Sequence, residues 1–409
     1  MEQKKLVKAP YLFAANGLYY ISMALYSPFI SAFFTSRGMT PGQIGILMSV
    51  SPLCAMLIQP FWARLSDRTG KRRLVIQILC VGCALAILNY VRAYSFAAIL
   101  FSIICYGFFY SAMLPLTDAL VVQSAKESGV RFSMIRLCGT LSYAAIVFPV
   151  GFLIKGSYDI LFYLTSASFI VTLFVYFGFR GTDQAPAKES RGAGQKLWDK
   201  DQKMRGAGPL FHTKLIICVL LSAFILMLCM NYNFSFMGVL LLQKGYDPSI
   251  LGVLNCISAL SEVPILLVSD KLMKRFSAMQ LLFLAMGSVV LRLLLTATGV
   301  IPLVMLGQAT QGFGYMVSYM VCVTFIAENV DENRISEGQS MLTLVQSGFG
   351  AILGSLLGGA LAEKLGIVPG YYVTTGFLVA VMVLVFFLNR RITAREAAEK
   401  AAQRSDLLR

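Results

Sequence analysis

The sequence GQIGILMSVSPLCAMLIQPFWARLSDRTGKRR, residues 42–73, joins a long apolar run to a Ser-Asp pair and a basic loop. The pattern returns at residues 249–276, where SILGVLNCISALSEVPILLVSDKLMKRF again runs from apolar residues to Ser-Asp and a basic end. A helix that crosses a bilayer needs about 20 apolar residues, and both runs supply them. We therefore predict a membrane protein with two similar halves, each with a second helix that ends in Ser-Asp.

The composition of the whole chain agrees with a membrane protein. Of its 409 residues, 57% are hydrophobic and only 13% are charged, and the mean hydropathy is +0.72. Soluble domains are about 25% charged, so much of the apolar surface of this chain has to be in contact with lipid. We predict an all-α membrane protein whose twelve transmembrane helices form two six-helix bundles. The predicted helices are residues 9–34, 42–62, 73–91, 95–122, 134–154, 158–178, 213–242, 249–269, 278–298, 301–327, 338–362 and 370–389.

Basic residues lie mostly on one side of the predicted membrane. With a cytoplasmic N-terminus, 28 of the 35 Lys and Arg residues fall in cytoplasmic segments and five in external loops, and Arg136 and Arg292 lie within helices. Positive charge gathers on the cytoplasmic side of membrane proteins. Both termini are therefore predicted to be cytoplasmic, in a bacterial-type inner membrane. Topology accounts for the net charge of +15, and no nucleic-acid partner is expected.

One polar segment divides the predicted helices into two sets of six. Residues 180–212 are rich in Gly, Ala, Lys and Asp, which is typical of a flexible linker. We predict an N-terminal six-helix bundle at 1–179, a cytoplasmic linker at 180–212 and a C-terminal bundle at 213–392. Residues 393–409 are predicted to be a cytoplasmic tail.

Residues that would support enzymatic chemistry are scarce in the sequence. All nine cysteines lie in apolar runs, and the chain has a single histidine, His212. These residues predict neither a disulfide framework nor a zinc site. The sequence also has no phosphate-binding loop and no nucleophile–base constellation. We predict that the protein is not an enzyme and uses no cofactor or metal.

Four ionisable residues fall well inside the predicted helices: Asp118, Arg136, Glu262 and Arg292. A charge at the centre of a membrane helix costs at least about 2.5–3.5 kcal/mol, so such residues usually face a polar cavity and mark function. The alternative interpretation is a pair of buried salt bridges that only lock the bundle. That alternative is weaker because a buried ion pair is often no more stable than apolar residues in its place.

The loop at residues 63–73 resembles the signature that major facilitator proteins carry between their second and third helices. Asp67, Gly70 and the basic residues match the pattern, and Ala63 stands where it has its first glycine. The resemblance implies a major facilitator fold with a cytoplasmic gate at this loop. The implied gating residues are Asp67, Arg68, Gly70 and Arg72, with Asp270 as the counterpart in the second half.

Further motifs resemble the lactose-permease-like group of proton symporters. Residues 26–29, with the pattern Tyr-x-Pro-Phe, and residues 59–62, Gln-Pro-Phe-Trp, are similar to lactose permease and its relatives. Residues 115–120 and 136–142 resemble the phenylpropionate permease branch, and residues 261–263 continue that likeness. Members of the group carry oligosaccharides, nucleosides or aromatic acids. The resemblance implies alternating access, a small-molecule substrate and protons as partners.

The resemblance also implies a sugar-binding role for three residues. Asp118 and Arg136 match the acid and the arginine that bind sugar in the group, and Tyr143 matches the aromatic residue that stacks on the sugar ring. A planar guanidinium can grip two vicinal hydroxyls or one carboxylate with two hydrogen bonds. An aromatic acid would stack on the same ring, so this set of residues leaves both substrate classes open.

Proton coupling is predicted to depend on Glu262 and Arg292. Glu262 lies between apolar neighbours, which disfavour its charged form and suit a group that takes up and releases a proton. Arg292 could approach it and drive the proton off. The sequence departs here from lactose permease. The ionisable residues expected on helices 7, 10 and 11 are missing, and in their place stand Asn231 and Asn233, Gln311 and Gly314, and Gln346. Asp118 is therefore a further candidate for coupling.

Other polar residues share faces of the predicted helices at three- and four-residue spacings. A polar cavity would explain them, and hydrogen bonding between helices is the alternative. The residues predicted to line the substrate site are Asn16, Tyr20, Asn231, Asn233, Gln311, Tyr315 and Gln346.

The leading hypothesis is a proton-coupled symporter that imports a sugar or glycoside as a monomer in the lipid bilayer. The alternatives within this class are an aromatic carboxylate or a nucleoside as substrate. A proton-driven exporter is a further alternative. It is disfavoured because residues 148–151, Phe-Pro-Val-Gly, differ from the Gly-Pro motif that drug antiporters carry on helix 5.

Overall fold

The computed structural model describes residues 8–154, 157–179, 214–330 and 334–406. Within this part of the chain, twelve helices are long and apolar enough to cross a membrane, which confirms the predicted number. The first six are α1 Ala9–Ser36, α2 Pro41–Thr69, α3 Arg72–Arg92, α4 Phe96–Lys126, α5 Met134–Leu153 and α6 Asp159–Phe177. The second six are α7 Ile216–Gln243, α8 Ser249–Ser269, α9 Ala278–Ala297, α10 Ile301–Glu328, α11 Glu337–Leu365 and α12 Ile367–Ala394.

Local capping signals explain where several of these helices begin and end. The Thr40 side chain accepts a hydrogen bond from the backbone N–H of Gln43, whose side chain accepts one from the backbone N–H of Thr40, and Pro41 opens α2. These reciprocal bonds satisfy donors that a helix start leaves free. Gly70 ends α2 with a φ of 65°, a left-handed conformation that glycine adopts without strain. Ser277 repeats the capping box at the start of α9.

Several of the spanning helices are interrupted by irregular turns. In α1, residues Ser27–Phe29 form a 3₁₀ turn at Pro28, which has no N–H to donate. In α10 and α11, Gly312–Val317 and Leu344–Gly350 are π-helical. A π segment inserts an extra residue into a turn and is frequent at functional sites. The hydropathy pattern did not predict these interruptions, because they leave the apolar composition of a helix unchanged.

The last helix extends beyond its membrane-spanning part. Helix α12 belongs to a continuous helix from Ile367 to Asp406. The predicted tail at 393–409 is therefore helical up to Asp406, and residues 407–409 lie outside the described part. The helix begins at Ile367, before the predicted start at 370. It also continues past the predicted end at 389, because the charged residues there lower the hydropathy without breaking the helix.

The helices group into two compact units. The first unit contains α1–α6 together with Gly238–Leu260, which covers the end of α7 and the start of α8. The second unit contains the rest of α7 and α8 together with α9–α12. The predicted linker at 180–212 lies outside the described residues, and the predicted boundaries of the two bundles stay predictions.

Within the first unit, α5 and α8 approach each other through glycines. A Cβ atom at Gly151 would lie 2.7 Å from the carbonyl oxygen of Ser249 and 3.2 Å from the Cα atom of Gly252. The same atom at Gly252 would lie 3.0 Å from the carbonyl oxygen of Phe148. Small residues let membrane helices pack backbone to backbone, and this contact leaves no room for a larger side chain.

The loops at one end of the first unit are held by Arg37. Its guanidinium lies 3.1 Å from the carboxylate of Asp159 and its Cζ atom lies 4.0 Å from the centre of the Tyr94 ring. Nearby, burial raises the pKa of Tyr158 to about 12, with a smaller contribution from the negative charge of Asp247. These contacts join the loop after α1 to the start of α6.

Candidate substrate and coupling site

Three helices of the first unit bring the first group of predicted site residues together. The Asn16 amide of α1 donates a hydrogen bond of 3.4 Å to the Asp118 carboxylate of α4. Asn16 is completely buried. A Cβ atom at Gly139 of α5 would clash with the Asn16 side chain, so this glycine allows α5 to pack directly against the pair. The sequence predicted Asn16 and Asp118 separately, and the structure shows that they are in contact.

Arg136 and Tyr20 form the second contact of this cluster. The Cζ atom of Arg136 lies 4.7 Å from the centre of the Tyr20 ring, which is within the range of a cation–π interaction. The Nη1 atom of Arg136 is buried and has no hydrogen-bond partner among the described residues. The guanidinium is therefore held by an aromatic face and keeps a donor available. We call Asn16, Tyr20, Asp118 and Arg136 the first polar cluster.

A row of tyrosines, most of them buried, continues from this cluster within the first unit. The ring centres of Tyr19 and Tyr110 lie 5.9 Å apart, and those of Tyr110 and Tyr106 lie 4.9 Å apart. Tyr106 then contacts Tyr26, whose hydroxyl lies 2.9 Å from that of Tyr90. Sequence analysis did not place Tyr19, Tyr26 or Tyr90 in the site. The seven-residue spacing of Tyr19 and Tyr26 on α1 is the signal that could have found them.

Tyr143 lies seven residues after Arg136 on α5. Seven residues span about 10 Å along a helix, so the two side chains are two turns apart. Tyr143 is half-buried in the structure. Its stacking on a sugar ring stays a prediction.

A second polar cluster surrounds Arg292 in the second unit. This residue of α9 is buried, and its guanidinium donates hydrogen bonds to the side-chain oxygens of Gln308 and Gln311 on α10. Its Cζ atom also lies 5.4 Å from the centre of the Phe234 ring on α7. Glu262, the partner that the sequence predicted, attracts Arg292 through Coulomb interaction. The hydrogen bonds from the guanidinium that the structure shows go to neutral amides.

The two predicted asparagines of α7 differ in their contacts. The Tyr371 hydroxyl of α12 donates a hydrogen bond of 3.2 Å to the Asn233 side-chain oxygen, and Asn233 is buried. This hydrogen bond joins α7 to α12 within the second unit. The Asn231 amide instead donates to the Met227 carbonyl oxygen of its own helix at 2.8 Å. The predicted role of Asn231 in substrate binding stays untested.

The π segments of α10 and α11 carry three of the predicted site residues. Gln311 directly precedes Gly312–Val317, and Tyr315 lies within it. Gln346 is buried inside Leu344–Gly350. Since a π segment adds a residue to its turn, the residues after it no longer keep the 3.6-residue face predicted from the sequence.

A serine beside Glu262 anchors the π segment of α10. The backbone N–H of Gly312 donates a hydrogen bond of 3.1 Å to the Ser261 hydroxyl on α8. A Cβ atom at Gly312 would clash with the Ser261 carbonyl oxygen, so only glycine permits this approach. The π segment of α10 therefore packs directly against Ser261 of α8.

The predicted gating loop is compact in the structure. The Arg72 guanidinium lies 3.3 Å from the Asp67 carboxylate, and 69% of the Asp67 side chain remains exposed. Arg68 is exposed as well. Gly70 provides the left-handed turn between the two helices. The Asp270 side chain lies outside the described residues, and the gating role of all five residues stays a prediction.

The part of the chain that the structure describes offers no group of three His, Cys, Asp or Glu side chains that could hold a metal ion. Its nine cysteines are all free. The polar chemistry of the described helices therefore lies in the carboxylates, guanidinium groups, amides and tyrosines of the two clusters.

Comparison with known proteins identifies the family. The profile of the MFS_1 like family matches residues 10–373, which is most of the chain. The chain therefore belongs to this family, within the major facilitator superfamily. The family and its relatives are transporters, so this protein is a multi-pass membrane transporter and not an enzyme.

Individual relatives differ in what they carry. The chain is 26% identical to the maltose permease of Geobacillus stearothermophilus, over 93% of this chain and 94% of that protein. It is 24% identical to the probable 3-phenylpropionic acid transporter of Escherichia coli (strain K12), over 85% of this chain and 89% of that protein. A crystal structure of the nucleoside transporter NupG has the same fold. Its TM-score is 0.77 at 15% identity, over 92% of this chain and 98% of NupG.

Proposed function

We propose that this chain is a proton-coupled symporter that imports a hydroxyl-rich solute, a sugar or glycoside, by alternating access. The observation that carries the proposal is the first polar cluster, in which Asn16 contacts Asp118 and Arg136 lies against the Tyr20 ring. The likeness to maltose permease over nearly the full length of both chains supports a sugar as substrate.

The first polar cluster offers the groups that sugar recognition needs. The Asp118 carboxylate accepts hydrogen bonds from hydroxyls, and the Asn16 amide both donates and accepts. The free Nη1 donor of Arg136 can bind a hydroxyl oxygen. The apolar faces of Tyr19 and Tyr20 suit the C–H groups of a pyranose ring. Because these donors and acceptors have fixed positions, a site built from them would select sugars by the orientation of their hydroxyl groups.

An aromatic carboxylate is the second candidate, and nucleosides form a third. The tyrosine row provides aromatic faces beside a guanidinium, which fits a ring that carries an acid. The relative named as a 3-phenylpropionic acid transporter supports this class. A nucleoside combines a ring with ribose hydroxyls and would use the same groups.

The second polar cluster is where we place proton coupling. Glu262 is half-buried in α8 and is coupled to Arg292 by Coulomb attraction. Protonation of Glu262 would remove its attraction to Arg292. Because the protonated and deprotonated carriers then differ in the contacts within this cluster, proton binding and substrate movement would be coupled. We further propose that the protein acts as a monomer.

Uptake into proteoliposomes tests the proposed function. The purified chain is reconstituted, the outside is made acidic, and uptake of labelled maltose, uridine and phenylpropionate is measured. We expect accumulation of the sugar that a protonophore abolishes. Accumulation that resists the protonophore would contradict proton coupling. Net efflux under the same gradient would indicate an exporter. Uptake of only phenylpropionate or only uridine would show that the substrate is an aromatic acid or a nucleoside and not a sugar.

We also propose that both termini face the cytoplasm of a bacterial plasma membrane. The predicted topology places the loop after α7 outside and the loop after α8 inside. In a variant without native cysteines, Tyr246→Cys should react with a membrane-impermeant maleimide in intact cells. Lys274→Cys, five residues beyond the other end of α8, should react only after the cells are opened. Both side chains are exposed, so the reverse labelling pattern would overturn the topology.

A further inference from the structure

Two glutamines of α10 hold the guanidinium of Arg292 in the second polar cluster. The Nη1 atom of Arg292 donates to the side-chain oxygen of Gln311, and its Nη2 atom donates to that of Gln308. Its Cζ atom also lies 5.4 Å from the centre of the Phe234 ring. Both glutamines are buried. Because a guanidinium is planar, two hydrogen bonds and a ring contact fix both its position and its orientation.

The place of the two glutamines on α10 suits this task. They are three residues apart, and residues at this spacing share one face of a helix, so both side chains reach α9. Gln311 is followed by Gly312, whose backbone N–H donates a hydrogen bond of 3.1 Å to Ser261 on α8. Ser261 directly precedes Glu262 in the sequence. One turn of α10 thus contacts Arg292 on one helix and the sequence neighbour of Glu262 on another.

The hydrogen-bond acceptors around Arg292 carry no charge. An amide oxygen fixes the direction of a guanidinium but leaves its positive charge unbalanced, whereas a carboxylate would bind about twice as strongly and balance it. The titratable groups that act on this charge from other helices, among the residues that the structure describes, are Tyr371 and Glu262. Tyrosine is uncharged near neutral pH. The charge of Arg292 is therefore balanced when Glu262 is deprotonated and unbalanced when Glu262 is protonated.

We propose that Gln308 and Gln311 are positioning residues for proton coupling, which hold the charged guanidinium of Arg292 at a fixed place relative to Glu262. A guanidinium that was free to turn could find another acceptor when Glu262 takes up a proton. Held by neutral amides, Arg292 stays in place and attracts the carboxylate again when the proton leaves. The inference rests on the proposed symport, and it gives Gln311 a role other than the predicted contact with substrate.

The variant Gln311→Glu tests this role, because it keeps the shape and the oxygen acceptor but adds a negative charge. The new carboxylate should pair with Arg292 and balance its charge whether or not Glu262 is protonated. We expect counterflow in proteoliposomes to persist, while accumulation driven by a one-unit pH gradient falls from about tenfold to near one. A glutamine that only stabilises the bundle would not separate these two activities, since damage to the bundle reduces both.

Thermal unfolding of the purified variants shows whether residue 311 acts through Arg292. Gln311→Glu should lower Tm more in an Arg292→Gln background than in the native background, because the buried carboxylate then has no arginine to pair with. Equal changes in Tm would overturn the proposal. If Arg292→Gln does not fold, Gln308→Glu decides the question, because it changes the other hydrogen bond of the guanidinium and should show the same split between counterflow and accumulation.

Gln280→Glu is the matched control for the change from amide to acid. Gln280 is exposed in the first turn of α9, where its side chain completes the capping box with Ser277. Glutamate serves in this motif as well as glutamine does. We expect this variant to keep the accumulation, the counterflow and the Tm of the native chain.

The outcomes separate this role from the proposed function. Native accumulation by Gln311→Glu or by Gln308→Glu would overturn the positioning role and leave the symporter proposal standing. Loss of counterflow in Gln311→Glu alone would assign Gln311 to substrate binding and would also overturn it. A native chain without proton-driven accumulation would overturn the symporter proposal, and the coupling role of the glutamines with it, before any variant is compared.

Discussion

The variant Glu262→Gln is expected to exchange substrate across the membrane but to accumulate none against a gradient. Glutamine has the shape of the protonated acid but can neither bind nor release a proton. The loaded carrier can therefore still reorient, while the proton gradient no longer drives it. A one-unit pH gradient carries about 1.4 kcal/mol, which supports about tenfold accumulation for one proton per substrate. The native chain should approach this ratio, and the variant should stay near one.

Counterflow and gradient-driven uptake in the same proteoliposomes measure the two activities separately. Asp118→Asn is the matched control, because Asp118 is the other acid predicted inside the membrane. If Glu262→Gln still accumulates substrate, while Asp118→Asn keeps counterflow but does not accumulate, the proton site is Asp118. If Glu262→Gln also loses counterflow, Glu262 binds the substrate itself. Either result would contradict the coupling role that we assign to Glu262.

The twelve helices were predictable because their signals are local. About 20 consecutive apolar residues indicate a spanning helix. Capping residues such as Thr40 and turn glycines such as Gly70 mark its ends. Both kinds of signal depend only on neighbouring residues. The paired Ser-Asp loops at residues 65–73 and 268–276 added the repeat.

The sequence proposes residues for the candidate site but does not predict which of them are in contact. Glu262 was predicted to be a residue that Arg292 could approach, and that prediction stands; the hydrogen bonds of the guanidinium to Gln308 and Gln311 were not predicted. Which side chain reaches a buried arginine depends on the rotation and depth of the facing helix, and sequence periodicity does not fix either. The π segment at 312–317 changes the rotation and depth of α10 further. Gly312 in this segment contacts Ser261 on another helix, and a contact of this kind cannot be predicted from the sequence of α10 alone.

In the first polar cluster, the residues that were predicted separately are in contact with one another. Asn16 and Tyr20 are one turn apart on α1, and the likeness to known symporters singled out Asp118 and Arg136. The contact of Arg136 with Tyr20 required α5 to lie against α1, which Gly139 makes possible. A glycine that permits a close approach can be seen in the sequence, but the helix that it faces cannot.

Arg136→Lys is expected to weaken substrate binding about 10- to 100-fold while the protein stays folded, the effect of losing charge-assisted hydrogen bonds. Lysine keeps the positive charge but loses the planar fork that can bind two oxygens at once. It also loses the flat contact with the Tyr20 ring, over which the guanidinium lies at 4.7 Å. The free Nη1 donor of the native residue disappears as well.

Substrate affinity can be measured by thermal shift or by concentration dependence of counterflow, with Tm of the free protein as the folding control. Arg37→Lys is the matched variant, since Arg37 also pairs charge with aromatic contact but holds the loop at Asp159 instead. It should leave substrate affinity unchanged. Near-native affinity in Arg136→Lys would mean that Arg136 stabilises the bundle and does not bind substrate. A loss that affects an anionic ligand much more than a neutral sugar would favour the aromatic acid as substrate, because a carboxylate depends on the fork more strongly than a hydroxyl pair.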